Sequence, residues 1–175
     1  MSLNSYNLER LHILIVDDDA HMRHLVRSIL NTLGVKKTSE ASNGADALKE
    51  MHHFPADIVI CDWSMDPLNG IDFTKMIRTA SDSPNPFVPI IMLTAHTEVN
   101  RVMQARDAGI SEFLAKPISA KALYSRICMV IDNPRVYIRS NGNAGYIGPT
   151  RRRKSRGGIA GVERRTVPSE DLLDS

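Results

Sequence analysis

At 175 residues, 42% of them hydrophobic, the chain has the length and apolar content for one ordinary domain and a tail, since domains most often run about 100–150 residues. Its net charge of +2 conceals an acidic body and a basic tail: residues 1–133 carry 13 Lys/Arg against 16 Asp/Glu, and residues 134–175 carry 9 against 4. Two cysteines exclude a disulfide framework, and no apolar run approaches the ~18 residues of a membrane span, so the expectation is a cytoplasmic protein with Cys61 and Cys128 as buried free thiols.

Short apolar runs alternate with helical patterns five times. Leu11 to Val16 reads as a strand buried on both faces, followed by Met22, Leu25, Val26, Ile29, Leu30 and Leu33 on one helical face. Gly34 then stands where a left-handed residue ends a helix. Val35 to Ala41 is polar and suits a sheet edge, where Lys36 and Lys37 discourage pairing with another chain. Asn43-Gly44 opens a short helix to Met51, and Ile58 to Cys61 is a third strand. Phe73, Met76, Ile77 and Ala80 mark the next helix, and 81–86 a loop. Pro89 to Leu93 is a fourth strand, after which Val99, Val102 and Met103 are expected to face inward from a helix. Phe113 to Ala115 is a fifth strand, and Leu123, Ile127, Val130 and Ile131 mark the last helix. Alternation of this kind predicts an α/β fold, a doubly wound five-stranded parallel sheet with helices on both faces. Periodicity leaves the strand order open.

The polar residues concentrate at strand ends. Asp17, Asp18 and Asp19 end the first strand, Asp62 the third, Thr94 the fourth and Lys116 the fifth. Ligands of open parallel sheets bind outside the carboxyl ends of the strands, which assigns these groups to one crevice. Carboxylates drawn together repel by about 4 kcal/mol per pair at 4 Å with an effective dielectric near 20. Such a cluster needs a cation, and oxygen ligands without His or Cys point to Mg²⁺. One carboxylate, Asp62, is then available as a nucleophile toward phosphorus, with Lys116 opposite the metal and the Thr94 hydroxyl ready to bond a phosphoryl oxygen. Taken singly, the acidic run also reads as a helix N-terminus favoured by the macrodipole, and Asp62 as a helix cap. Pairs such as His21/His24 and His52/His53 lack a third ligand and read as surface histidines, and no G-x-x-x-x-G-K phosphate loop occurs.

Leu14-Ile15-Val16-Asp17-Asp18-Asp19, Ala41 to Leu48, Cys61-Asp62-Trp63-Ser64-Met65 with Gly70, Met92-Leu93-Thr94-Ala95 and Phe113-Leu114-Ala115-Lys116-Pro117 together resemble the receiver domain of two-component response regulators, of the single-domain chemotaxis type. The resemblance covers residues 10–132, leaving 1–9 as an N-terminal extension and 133–175 as a tail. It implies a flavodoxin-like strand order 2-1-3-4-5, Asp62 as the phosphoacceptor, and Mg²⁺ held by Asp18, Asp62 and the Ser64 carbonyl, with Asp17 acting through water. Thr94, Ala95 and Lys116 would engage the phosphoryl group, Ser64, His96 and Pro117 would flank it, and Lys116-Pro117 would be cis. The switch position commonly filled by Tyr in the family is Phe113 here, which reads equally as core filler. A second departure is Asp66 where the family usually has Pro, with Pro67 next.

The implied activity is that of a signalling switch rather than an enzyme: a sensor histidine kinase or His phosphotransfer protein supplies the phosphoryl group. A downstream protein would be met through the helix 4–strand 5–helix 5 face, and a homodimer is a further option. After Pro134 the chain becomes rich in Gly, Asn and Arg and is expected to be largely disordered. Its run Arg151 to Arg156 holds five charges in six residues and could bind nucleic acid by counterion release, but no helical periodicity of a DNA-binding module follows. The alternatives are a phosphate-independent adaptor of the same shape, and an Asp-nucleophile phosphatase, which would want a second Asp where Ser64 stands.

Overall fold

The computed structural model describes residues 6–95, 99–134, 137–139 and 147–149. Five parallel strands form one sheet: β1 (His12–Val16), β2 (Lys37–Ala41), β3 (Ile58–Asp62), β4 (Ile90–Thr94) and β5 (Glu112–Ala115), in the order β2-β1-β3-β4-β5. Helices α1 (Ala20–Thr32), α2 (Gly44–His53), α3 (Gly70–Thr79), α4 (Val99–Ala108) and α5 (Ala120–Asp132) connect and follow them. This is the doubly wound, flavodoxin-like order that the family resemblance implied.

Strand side chains alternate between two cores, as the period of two demands. Leu14, Val16, Val59, Cys61, Ile90 and Met92 pack with Met51, Phe73, Ile77, Ala105 and Ala108 from α2, α3 and α4. Ile13, Ile15, Ile58, Ile60, Ile91, Leu93 and Leu114 face the other way, onto Val26 and Leu30 of α1 and Leu123 and Ile127 of α5. β1, β3 and β4 are buried on both faces, which is why they are continuous apolar runs. β2, at the edge, is polar and half-buried.

Helix entries follow local chemistry. Asp19, Asn43, Asn69 and Ser119 each cap a helix by accepting a main-chain N–H from His21, Asp46, Asp72 and Ala122. Gly34 ends α1 at φ +97°, in the left-handed region where a side chain would be strained.

The expectations for α4 and for Cys128 need correction. On α4, Val102 and Met103 are exposed rather than facing inward, and Ala105 and Ala108 make the contact with the core. Weak segregation of apolar and polar residues along this helix left its inner face ambiguous, and alanines allow the helix to sit close on its neighbours. Cys128 is half-buried, unlike the fully enclosed Cys61. Of the stretch before residue 10, Leu8 is buried in the α1/α5 core, and the Tyr6 hydroxyl donates to the Asp132 carboxylate. Beyond α5, the described residues include β6 (Tyr137–Arg139) and β7 (Ile147–Pro149), which pair antiparallel. The basic run 151–156 lies outside the described residues.

Candidate functional site

Register brings the acidic strand ends together. Val16 stands opposite both Ala41 and Cys61, Asp62 opposite Leu93, and Thr94 opposite Ala115. Asp17, Asp62 and Lys116 therefore emerge side by side at the carboxyl edge of the sheet. The main-chain N–H of Asp17 donates to Ala41 O (3.1 Å) and that of Lys116 to Thr94 O (2.9 Å), so pairing continues to the site itself.

The three acids of the first loop divide their work. Asp19 caps α1, the role the macrodipole reading had offered for the whole run. Asp17 is buried, with Oδ1 accepting the Asp19 N–H at 2.9 Å, while Asp18 is exposed. Carboxylate oxygens of Asp17, Asp18 and Asp62 lie within 4.8 Å of one another, the one group among the described residues that could hold a metal ion. Asp62 caps no helix, since α3 begins eight residues later behind Asn69.

Lys116 answers this charge. Its Nζ lies 2.7 Å from Asp62 Oδ1 and 3.8 Å from Asp17 Oδ2, the second too long for a hydrogen bond. Asp17 Oδ2 is thus buried without a hydrogen-bond partner, a costly state that a ligand would relieve. Burial is the largest influence on Asp17 and raises its pKa to about 6; the Asp19 N–H lowers it, Asp62 raises it, Lys116 lowers it and Asp18 raises it. Burial alone would lower the Lys116 pKa, but the hydrogen bond to Asp62 and the three carboxylates outweigh it and leave the ammonium more strongly protonated than usual. Burial, then Asp62 and Asp17, pushes the Cys61 thiol up, so this cysteine is held as an inert thiol beside the site.

The loop after Asp62 runs close beneath it. Gly70 N–H donates to Trp63 O (3.0 Å), and a Cβ at Gly70 would stand 2.4 Å from Asp62 O. Glycine is required there by a backbone approach no side chain tolerates. Trp63 is buried, and both Asp66-Pro67 and Lys116-Pro117 are cis, the second as the resemblance implied.

The other expected residues distribute as follows. Thr94 is buried at the end of β4, and Ala95 is exposed immediately after it. Ser64 and Pro117 are exposed beside Asp62 and Lys116. Phe113 is half-buried against the core of α2, α3 and α4. His96 lies outside the described residues. The four histidines His21, His24, His52 and His53 are exposed and enter no metal-binding cluster. Arg23 had drawn no attention in the sequence: its Nη1 donates to Asp17 O at 2.7 Å. A lone Arg on a helix carries no signal by itself, and its partner, a main-chain carbonyl, leaves none.

This combination of a 2-1-3-4-5 sheet with an acid triplet facing a lysine defines a class of α/β signalling domain. The family model of the response regulator receiver domain matches residues 13–128, and the chain belongs to that family, as a receiver of chemotaxis type. It is 32% identical over 132 residues to the chemotaxis protein CheY of Pseudomonas aeruginosa, covering 75% of this chain and all of that relative. It is 33% identical over 124 residues to the chemotaxis protein CheY-3 of Vibrio cholerae, covering 71% of this chain and 94% of the relative. Among solved structures, the chemotaxis protein CheY4 of V. cholerae superposes with a TM-score of 0.64 at 28% identity, over 69% of this chain and 98% of that one. A second solved structure, from Chloroflexus aurantiacus, does so with 0.64 at 27%, over 70% and 98%. Receiver domains are signalling modules rather than enzymes of metabolism. No helix among the described residues is long and apolar enough to cross a membrane.

Proposed function

We propose that the protein is a phosphorylation-driven switch whose phosphoacceptor is Asp62. The observation that carries this reading is the acid triplet itself: three carboxylates within 4.8 Å, a lysine at 2.7 Å from Asp62, and a buried Asp17 oxygen left without a hydrogen-bond partner. These donors fit a hard divalent cation, because they are oxygens only and one is orphaned. Asp18, Asp62 and the Ser64 carbonyl would hold Mg²⁺, with Asp17 acting through water. The ion, when bound, supplies positive charge that offsets the repulsion between Asp62 and an incoming phosphoryl group.

The remaining chemistry belongs to the chain. Lys116 engages Asp62 Oδ1, which leaves Oδ2 to attack phosphorus. A new O–P bond forms as the donor's P–N bond breaks, and the departing imidazole of a histidine kinase or His phosphotransfer protein takes up a proton. Lys116 and the Thr94 hydroxyl, with the Ala95 main chain beside it, then neutralise and bond the phosphoryl oxygens. Ser64 and Pro117, exposed beside Asp62 and Lys116, border the opening, and the family resemblance makes His96 a further flanking residue. Drawing Thr94 toward the phosphoryl group frees space for Phe113 to rotate, which shifts the population of α4–β5–α5 surfaces offered to a downstream protein. Homodimerisation is part of the same proposal, as are a cytoplasmic location and a receiver body over 10–132 with an appended tail. Catalysis by the chain is confined to its own phosphorylation and slow dephosphorylation.

Incubation with Mg²⁺ and acetyl phosphate tests the reading. The expected product is a base-labile phosphoprotein that requires Mg²⁺ and that Asp62→Asn cannot form. Continuous hydrolysis of varied phosphate esters would instead indicate a phosphatase, and no labelling of the intact protein a phosphate-independent adaptor.

A further inference from the structure

The loop joining β1 to α1 must hold three adjacent acids, two of them turned toward a third carboxylate on β3. Mutual repulsion favours opening this loop, and several contacts oppose it from behind. Asp17 N–H is bonded to Ala41 O and Asp19 N–H to Asp17 Oδ1. One turn into α1, Arg23 reaches back: its Nη1 donates to Asp17 O at 2.7 Å while its Nε donates to Glu40 Oε2 at 3.2 Å. The other Glu40 oxygen pairs with Arg27 Nη1 at 2.8 Å. Glu40 stands on edge strand β2, in register with Ile15 of β1, so a chain of contacts runs from the sheet edge to the acidic loop.

Most surface ion pairs hold nothing in place. This one differs because the guanidinium bonds a carboxylate and a main-chain carbonyl at once, with the Arg23 side chain only 18% exposed. A planar fork can serve both acceptors in fixed directions, and a lysine ammonium cannot. The arrangement also explains why β2 keeps an acidic residue near its end when Ala41 beside it is buried.

We propose that Arg23, braced by Glu40, is a positioning residue for divalent-cation binding. It fixes the main chain of Asp17 so that the Asp17 and Asp18 carboxylates face Asp62, and it places a positive charge behind acids that would otherwise repel. This rests on the reading of Asp17, Asp18 and Asp62 as the Mg²⁺ site. Groups that orient metal ligands without touching the metal characteristically change affinity by about tenfold or more when removed.

Mg²⁺ titration of the full chain, read by the fluorescence of its one tryptophan, Trp63, tests both levels separately. Saturable binding in the unmodified protein that disappears in Asp18→Asn establishes the site; equal binding in Asp18→Asn would sink the metal reading itself. Given that site, Arg23→Ala is expected to bind about tenfold more weakly, Arg23→Lys nearly as weakly, and Glu40→Gln about threefold more weakly. Melting curves without Mg²⁺ accompany each titration. Lower melting temperatures with unchanged Mg²⁺ affinity mean a structural brace only, and would overturn the proposal. If Arg23→Ala does not fold, unchanged affinity in both Arg23→Lys and Glu40→Gln would overturn it equally.

Discussion

Asp17 ties the chemistry of the site to the stability of the fold. Its carboxyl is raised from 3.8 to about 6, chiefly by burial. The folded chain therefore holds a proton there that the unfolded chain has already released between about pH 4 and 6. Stabilisation from this group is complete below pH 4 and is lost as pH rises through 6. A divalent cation has the opposite preference, because it needs the ionised carboxylate. The expected outcome is that Mg²⁺ raises the melting temperature clearly at pH 7.5 and little at pH 5, whereas Asp17→Asn flattens the metal-free dependence over pH 4–6. Melting curves at both pH values, with and without Mg²⁺, check this. Of the residues involved, Asp17, Asp18, Asp62, Thr94 and Lys116 were legible in the sequence because each ends an apolar strand run, and parallel topology sends strand ends to one edge. The division of labour within the acidic run was not legible. Which of three adjacent acids caps the helix and which is buried depends on where the sheet ends, and composition does not reveal that.

Elements were readable in proportion to the clarity of their pattern. β1, β3 and β4 stand out as apolar runs because both faces are covered, and α1 and α5 as helical stripes, although Leu25 of the α1 stripe is exposed. α4 failed that test: Val102 and Met103 are exposed, two alanines make the seat, and the Val99 side chain lies outside those described. Close seating by Ala105 leaves no room for growth, since this residue is fully buried against the α2–α3–α4 core. Ala105→Leu is expected to destabilise by about 1–3 kcal/mol through overpacking, while Val102→Ser stays within about 0.5 kcal/mol of the unmodified protein. Urea unfolding of the two variants measures the difference. Equal losses would mean that the helix seats on Val102 after all. A helix held by small residues also has little apolar area anchoring it, which suits an element the proposed switch must move.

At the scale of the whole molecule, the described strands beyond α5 pack on the body. β6 and β7 carry no periodic apolar pattern that the sequence could show, because a two-stranded piece can borrow its anchorage from elsewhere. The anchor is Arg78 of α3, whose residue exposure is only 1%. Its guanidinium donates to Gly109 O through Nε (3.2 Å) and Nη2 (2.9 Å) and to Pro86 O through Nη1 (2.9 Å). Tyr137 of β6 covers it, with the ring centroid 5.2 Å from the guanidinium carbon and 5.3 Å from the Phe87 ring, edge to face. Gly148 and Pro149 of β7 are buried, and β7 touches α3. These contacts lie by the amino ends of β4 and β5, at the pole of the sheet opposite Asp62. Tyr137→Ala removes the aromatic and cation–π contacts and is expected to cost about 1–3 kcal/mol. Arg78→Met strands two carbonyls and is expected to cost about 3–5 kcal/mol. Because both act on one cluster, the double variant should lose less than the sum of the singles. Urea unfolding of the three variants reads that coupling, and strictly additive losses would show that Tyr137 stands on Arg78 without sharing energy with it.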